Sequence, residues 1–367
     1  MKVHNLKLYI LVLPLLFFFA CSSTDSTSPV TKATPVTTTS TPVSSQPIVK
    51  LPAQQASSII NMPVEKIKAY ESVQPIIFST TDVPEKDVVK TKKFIDYAVQ
   101  FWLTTDAPAF QKFNPFYIAI VGTDPAAAKK LNEEMCAYSE VLQARCDSDP
   151  GFKTAIVPFV QDEQAALISH YKFDGFHLLA LSDAHIEGYE PMVLHEVFHV
   201  YQLANIALTK KTSKRDINSL EAKSVSDIVD QSPWWMESSA NYMANLLYAR
   251  RPETSDSYLT DTMNNYLGQD DAKQRYINDN RKIYDYGYGD EYYQYGIGDW
   301  FIAYLVSIYG EQSIHDFYEQ LPIIDDFEDT FIAIFKKSYT DHMNDFDEWF
   351  KQSNSELLKI LPAIVFP

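Results

Sequence analysis

The stretch PMVLHEVFHVYQL, residues 191–203, predicts a helix that carries two histidines on one face. Pro191 is favoured in the first turn of a helix, and no later residue of the stretch interrupts one. His195 and His199 are four residues apart, so their imidazoles project from the same face and can reach one metal ion. Glu196 follows the first histidine and can take a proton from water beside that ion. The neighbours are apolar, and a metal ion would compensate the cost of burying these polar groups.

A third ligand is expected, because catalytic zinc usually has three protein ligands and one open position. Residues 232–250, SPWWMESSANYMANLLYAR, predict a second helix with Ser232 as its N-cap and Pro233 at its first position. Glu237 is the only acidic residue in this largely apolar segment. A solvated glutamate on an exposed helix face is the alternative interpretation. We expect Glu237 to complete a Zn²⁺ site with the two histidines.

The two predicted helices together resemble the gluzincin metallopeptidases of the peptidase MA-like families. The resemblance rests on HEVFHVYQ, which ends at Gln202, and on WWMESSANY, in which Ser238 replaces the usual glycine. It implies a zincin-like fold, Glu196 as the general base, and the same three zinc ligands. Asn241 stands where some gluzincins have an acid that orients a ligating histidine. The hydrogen-bond partner of that histidine therefore stays open at this point.

The resemblance also implies a tyrosine that stabilises the oxyanion. These families have the pattern Y-x-x-G-x5-Y-L, and this chain has YGIGDWFIAYL from Tyr295 to Leu305. Tyr295 is expected to donate a hydrogen bond to the oxyanion of the tetrahedral intermediate. Tyr292 and Tyr293 are alternatives, because the segment 284–296 is rich in tyrosine. The Gly-x-Met-Glu-Asn stretch of related aminopeptidases is absent from the sequence, which favours an endopeptidase.

The function implied by this resemblance is zinc-dependent hydrolysis of peptide bonds, with a peptide or protein as substrate. One alternative is a noncatalytic surface lipoprotein that uses the same fold as a binding module. Another is a zinc hydrolase that acts on a substrate other than a peptide. The formal charge is −17, and binding to phosphates needs clustered Lys and Arg, so no nucleic-acid partner is expected.

The N-terminus has the pattern of a lipoprotein signal. Residues 1–20 combine lysines with a short apolar run, and Cys21 follows the small residue Ala20, which resembles the lipobox of bacterial lipoproteins. The resemblance implies export and a lipid anchor on Cys21 in a bacterial membrane, with the outer membrane favoured because Ser22 comes next. A soluble exported protein with an incidental cysteine is the alternative. Residues 21–60 are rich in Ser, Thr and Pro and predict a disordered tether.

The rest of the chain predicts an α+β protein, with a small mixed sheet and helices followed by a mostly helical half. The predicted parts are an N-terminal α/β subdomain at 61–190 and a helical zinc-binding subdomain at 191–367. Strands are expected at 115–121, 153–160 and 175–181. The resemblance implies that the last of these is the edge strand that pairs with an extended substrate. Helices are expected at 85–104, 162–171, 191–208, 218–229, 233–250, 257–266, 272–284, 295–309, 312–320, 326–337 and 343–352.

Cys136 and Cys146 lie in a segment that predicts a further helix, with Asp124 as N-cap and Pro125 at its first position. Their separation of ten positions corresponds to a rise of about 15 Å along one unbroken helix. A disulfide needs Cα atoms roughly 4.4–6.8 Å apart. Either the helix ends before Cys146 and the chain doubles back to form a disulfide, or both thiols stay free.

Overall fold

The computed structural model describes residues 72–103, 108–160, 165–182, 188–209, 233–268, 271–279, 281–285 and 292–364. The predictions for the signal peptide at 1–20, for Cys21, for the tether at 21–60 and for the helix at 218–229 lie outside these residues. No helix within the described ranges combines the length and the apolar character that crossing a membrane requires.

Within the described residues, four strands form one mixed sheet. They are β1 (Ile76–Ser79), β2 (Phe116–Val121), β3 (Ala165–Ser169) and β4 (His177–Ser182). The strand order is β1-β2-β4-β3, with β1, β2 and β4 parallel and β3 antiparallel to β4. Ile118 of β2 pairs with Ile77 of β1 and with Leu179 of β4. The α+β class with a small mixed sheet is thereby confirmed.

The strands predicted at 115–121 and 175–181 are present as β2 and β4, whereas the strand at 153–160 is wrong. That segment forms 3₁₀ turns at Pro150–Thr154 and Val157–Val160. Pro158 has no N–H to donate to a ladder, which disfavours a strand there. The helix predicted at 162–171 is also wrong, because its central residues form β3, which pairs with β4.

The prediction that 175–181 is the edge strand is wrong as well. β4 lies between β2 and β3, and all of its residues are buried. β3 is an edge strand, and its register against β4 shifts between Leu167 and Ser169, as at a β-bulge. β1, the other edge, was not predicted. An extended peptide that pairs with the sheet would therefore have to bind at β1 or β3 and not at β4.

Helices cover both faces of the sheet and continue into the second half of the chain. They are α1 (Glu85–Trp102), α2 (Pro125–Cys136), α3 (Glu140–Ser148), α4 (Tyr171–Asp174), α5 (Tyr189–Ile206), α6 (Pro233–Ala249), α7 (Tyr258–Gly268), α8 (Ala272–Asn278), α9 (Gly298–Tyr309), α10 (Gln312–Ile324), α11 (Phe327–Phe335), α12 (Tyr339–Phe350) and α13 (Asn354–Leu357). A π-helical turn, Tyr292–Ile297, leads directly into α9. Further 3₁₀ turns lie at Pro108–Lys112, Ile283–Asp285 and Leu358–Ile360.

The predicted helices are largely confirmed, with differences at their ends. α8 stops at Asn278, short of the predicted end at 284, because Asp279 is extended with ψ 141. α12 begins before the predicted start at 343, since the hydroxyl of Ser338 accepts a hydrogen bond from the backbone N–H of Asp341 and caps the helix.

Two apolar cores lie on opposite faces of the sheet. Alternate residues of β2 (Phe116, Ile118 and Ile120) belong to the larger core, which also contains α1, α5, α6 and the later helices. The intervening residues face a smaller core that includes residues of α2 and α3. One continuous core therefore joins the sheet to α5 and α6, and this core holds both helices in place.

The smaller core contains a disulfide between Cys136 and Cys146, with Cα atoms 5.8 Å apart. α2 ends at Cys136, and Ser139 then caps α3 by accepting a hydrogen bond from the backbone N–H of Leu142. The chain thus doubles back before the second cysteine, as the first of the two alternatives requires. Asp124 caps α2 as predicted, by accepting from the N–H of Ala126.

Candidate metal centre

α5 is buried along nearly its whole length. Every residue from Val193 to Ile206 is buried. The helix contacts α1, α6, α10 and the edge strand β3. Such an environment is usual for a helix that is apolar on all sides. It places His195, Glu196 and His199 in the interior of the protein, with exposed fractions of 3%, 4% and 8%.

Three ligand-type atoms converge between α5 and α6. Nε2 of His195 lies 2.9 Å from Nε2 of His199. Oε2 of Glu237 lies 3.3 Å from the first of these nitrogens and 3.2 Å from the second. Ligand atoms at 2.0–2.1 Å from a tetrahedral ion would be about 3.3 Å from one another. The three predicted ligands therefore form a group that could hold a metal ion.

Gln202 fixes the tautomer of the neutral form of His199. Its amide nitrogen lies 3.0 Å from the carbonyl oxygen of Met236, which can only accept a hydrogen bond. The amide oxygen must then face the histidine, and it accepts from Nδ1 of His199 across 2.7 Å. The lone pair of the neutral imidazole is consequently on Nε2, toward the other two ligand atoms. The same amide nitrogen also lies 2.9 Å from the hydroxyls of Ser239 and Tyr318.

The electrostatics of the site favour a positive charge where these atoms meet. Burial disfavours the charged forms of both His199 and Glu237, but their mutual attraction dominates. The pKa of His199 rises to about 9 because of the adjacent carboxylate. The two histidines, conversely, hold the pKa of Glu237 below its usual range. The carboxylate therefore stays ionised, as a metal ligand must be.

Glu196 lies beside the ligands, but its pKa shifts in the opposite direction to that of Glu237. Burial raises the pKa of its carboxyl group, against the opposing attraction of His195 and His199. The backbone of Leu167 in β3 lies beside this carboxylate and stabilises its ionised form. The sequence did not reveal this contact, because β3 was predicted as helix. A buried carboxylate with a raised pKa is suited to proton transfer near neutral pH.

Tyr295 reaches the same group of residues. Its hydroxyl donates a hydrogen bond to Oε2 of Glu237 across 3.0 Å, and its ring centroid lies 6.0 Å from that of His195. Tyr295 belongs to the π-helical turn, and such turns occur frequently at functional sites. The side chains of Tyr292 and Tyr293, the two alternatives, lie outside the described part of the structure.

Asn241 contacts residues other than the ligating histidines. Its Nδ2 atom donates to Oδ2 of Asp299 across 2.7 Å and to the hydroxyl of Tyr266 across 3.1 Å. Nδ1 of His195 is buried and has no hydrogen-bond partner among the described residues. Asp299 was not predicted, although it is the one acid in the apolar helix α9. The same signal identified Glu237 in α6.

Comparison of the chain with protein-family models, with curated proteins and with solved structures gives no match. The function is therefore inferred from the residues of the site itself.

Proposed function

We propose that this protein is a zinc-dependent metallopeptidase with a zincin-like fold and that it acts as an endopeptidase. The observation that carries the proposal is the convergence of His195, His199 and Glu237, with Glu196 and Tyr295 beside them. A metal site needs only the first three residues. The additional carboxylate and phenol are the groups that hydrolysis of an amide requires for proton transfer and for stabilising the oxyanion.

Two imidazole nitrogens and one carboxylate oxygen are a donor set typical of catalytic zinc. Harder ions such as Mg²⁺ and Ca²⁺ prefer sites made of oxygen alone. The orientation of His199 by Gln202 suits this set, because it presents Nε2 as the ligand atom. When bound, Zn²⁺ would polarise the substrate carbonyl and increase the acidity of water.

The residues of the chain supply the remaining chemistry. Glu196 takes a proton from the attacking water and passes it to the departing amine, and the backbone of Leu167 lies beside its carboxylate. Tyr295 has one hydroxyl proton, which it donates to Glu237 in this structure. To stabilise the oxyanion, it must turn this proton toward the substrate.

The edge strand β3 supports a peptide as the substrate. β3 contacts α5, and the backbone of its residue Leu167 lies beside Glu196. A peptide in extended conformation can add to such an edge through main-chain hydrogen bonds. This mode of binding would place a peptide bond close to the general base. As part of the proposal, the protein is exported and attached to a bacterial membrane, with the outer membrane favoured, through a lipid on Cys21.

Hydrolysis of a labelled casein-type substrate by the zinc-loaded, full-length protein tests the proposal. Glu196→Gln is expected to lower the rate by about 10²–10⁴-fold, because it removes the base. It should leave the bound zinc unchanged. Glu190→Gln is a matched control, since Glu190 lies on the same helix and pairs with Lys90 away from the ligands. The control should retain full activity.

A wild-type protein that binds zinc but cleaves no member of a broad peptide library would contradict the peptidase proposal. That result would favour the alternative of a noncatalytic binding module. Cleavage of esters or other non-peptide substrates, without cleavage of peptides, would instead identify a different zinc hydrolase.

A further inference from the structure

Two hydrogen bonds one turn apart connect α6 to the segment that carries Tyr295. The first runs from the Tyr295 hydroxyl to Oε2 of Glu237 across 3.0 Å. The second runs from Nδ2 of Asn241 to Oδ2 of Asp299 across 2.7 Å. Asn241 follows Glu237 by four residues, and Asp299 follows Tyr295 by four residues. The two bonds are therefore successive links between the same two elements.

Asp299 is an unusual residue for its position. Its exposed fraction is 0%, and the buried residues that follow it in α9 are mainly apolar. Oδ1 of Asp299 has no hydrogen-bond partner among the described residues. Burial raises the pKa of this carboxyl group well above its usual value. An apolar side chain would avoid the cost of burying a polar group that is only partly hydrogen-bonded, so packing alone does not account for an acid here.

Nδ2 of Asn241 makes two hydrogen bonds to side chains of other elements. One N–H of its Nδ2 group donates to Asp299, and the group also donates to the hydroxyl of Tyr266 in α7 across 3.1 Å. Asn241 thereby links its own helix, α6, to α7 and α9. Both contacts are made by Nδ2, which has two N–H groups, one for each partner. The hydrogen bond to Asn241 also fixes the position of Asp299 relative to α6.

We propose that Asp299 is a positioning residue that acts through Asn241. The Asn241–Asp299 hydrogen bond sets the π-helical turn against α6 and so holds the phenol of Tyr295 beside Glu237. The roles of Glu237 as a metal ligand and of Tyr295 as an oxyanion donor rest on the proposed function. The positioning itself is a property of the folded chain and is measurable without a substrate.

The test uses the full-length chain labelled with 3-fluorotyrosine and observed by fluorine NMR. Tyr295→Phe assigns the Tyr295 resonance. In the wild type, this resonance should differ in chemical shift from free 3-fluorotyrosine, because the ring is held at Glu237. Asp299→Ala and Asn241→Ala should each move it toward the free value. Asp299→Asn should keep the wild-type shift, since an amide oxygen can still accept from Asn241.

A control separates positioning from loss of stability. Asn132 is also a buried, hydrogen-bonded amide, but it lies in the smaller core. It donates to the carbonyl oxygen of Phe152 and to Sγ of Cys136, and it accepts from the N–H of Ile156. Asn132→Ala should lower the unfolding temperature and leave the Tyr295 resonance unchanged. If Asp299→Ala does not fold, Asn241→Ala and Asp299→Asn still decide the outcome. A wild-type Tyr295 resonance in a folded Asp299→Ala or Asn241→Ala protein would overturn the proposal.

Kinetics distinguish this inference from the proposed function. With an active wild type, Asp299→Ala should lower kcat by about 10–100-fold, as is typical when a group supporting a metal site is removed. KM should change much less, and Asp299→Asn should restore kcat. Absence of hydrolysis by the wild type would contradict the proposed function, while the NMR result would still decide the role of Asp299. An unchanged kcat in Asp299→Ala would overturn the positioning role alone.

Discussion

Nδ1 of His199 donates a hydrogen bond to Oε1 of Gln202 across 2.7 Å, and this bond determines which nitrogen of the histidine faces the other ligands. Gln202 lies one turn further along α5 and is itself fully buried. Its amide is fixed in turn by the carbonyl oxygen of Met236 on α6. The tautomer of one ligand on α5 therefore depends on the position of α6, which carries Glu237.

We predict that Gln202→Leu weakens zinc binding by about 10–100-fold, because His199 loses the acceptor that fixes its tautomer. Competition with a chelator of known affinity measures this change. The variant should also unfold at a lower temperature, since Ser239 and Tyr318 lose a hydrogen-bond partner. Asn132→Ala, which removes a buried amide in the smaller core, should lower stability without changing zinc affinity. Equal zinc affinity in Gln202→Leu and the wild type would contradict the prediction.

Tyr295→Phe should lower kcat by about 10²–10³-fold, because the variant lacks the donor for the oxyanion. Zinc content should stay the same, since the tyrosine is not one of the three ligands. Steady-state kinetics and metal analysis on the same preparation check both statements. Tyr138→Phe is the control, because Tyr138 is 53% exposed on the other side of the sheet. A kcat within a factor of about two of wild type for Tyr295→Phe would remove Tyr295 from the mechanism.

His177 makes the stability of the fold dependent on pH. Burial lowers its pKa from 6.5 to about 4, although a hydrogen bond to the carbonyl oxygen of Lys112 opposes the shift. The unfolded chain therefore binds a proton on this residue between pH 6.5 and about 4, while the folded chain does not. The contribution of His177 to the free energy of unfolding is therefore fully present above pH 6.5, and it is lost as the pH falls toward 4. The loss amounts to about 3 kcal/mol.

Urea unfolding of the wild type and of His177→Gln across this range measures the effect. Glutamine retains a donor for the Lys112 carbonyl but does not titrate. The free energy of unfolding should fall more steeply toward low pH in the wild type than in the variant. Carboxylates titrate in both proteins, so the difference between the curves isolates His177. Parallel curves would show that this histidine does not contribute.

The disulfide should stabilise the fold without influencing the metal centre. Closing a loop of ten residues lowers the entropy of the unfolded chain and contributes roughly 2–3 kcal/mol. Cys136→Ser/Cys146→Ser should therefore unfold at a lower urea concentration. Zinc affinity should not change, because the disulfide lies in the smaller core across the sheet from α5. A large loss of zinc affinity in this variant would show that the two cores are coupled.

The ligand positions were predictable because their signals are local. His195 and His199 share a helix face through their spacing alone, and Glu237 is the single acid of an apolar helix. Both patterns can be recognised in the sequence without knowing how the helices pack. The α+β class and most helix positions were predictable for the same reason, since the periodicity of apolar residues is a property of each segment.

The remaining features depend on contacts between distant residues. Residues 165–169 form a strand because β4 is available to pair with them, and their sequence alone favours neither a strand nor a helix strongly. The proximity of Leu167 to Glu196 was not predictable for that reason. The bond between Asn241 and Asp299 spans 58 residues, and no local pattern indicates which acid would meet which amide.

Metal analysis of the folded, full-length protein is the decisive test of the proposed zinc centre. We expect about one zinc ion per chain, because the three ligands form a single site. The bound zinc should be retained in Glu196→Gln and lost in His195→Ala, in His199→Ala and in Glu237→Ala. A folded wild-type protein without bound zinc, or zinc that persists in all three ligand variants, would contradict the claim that these residues form a zinc centre.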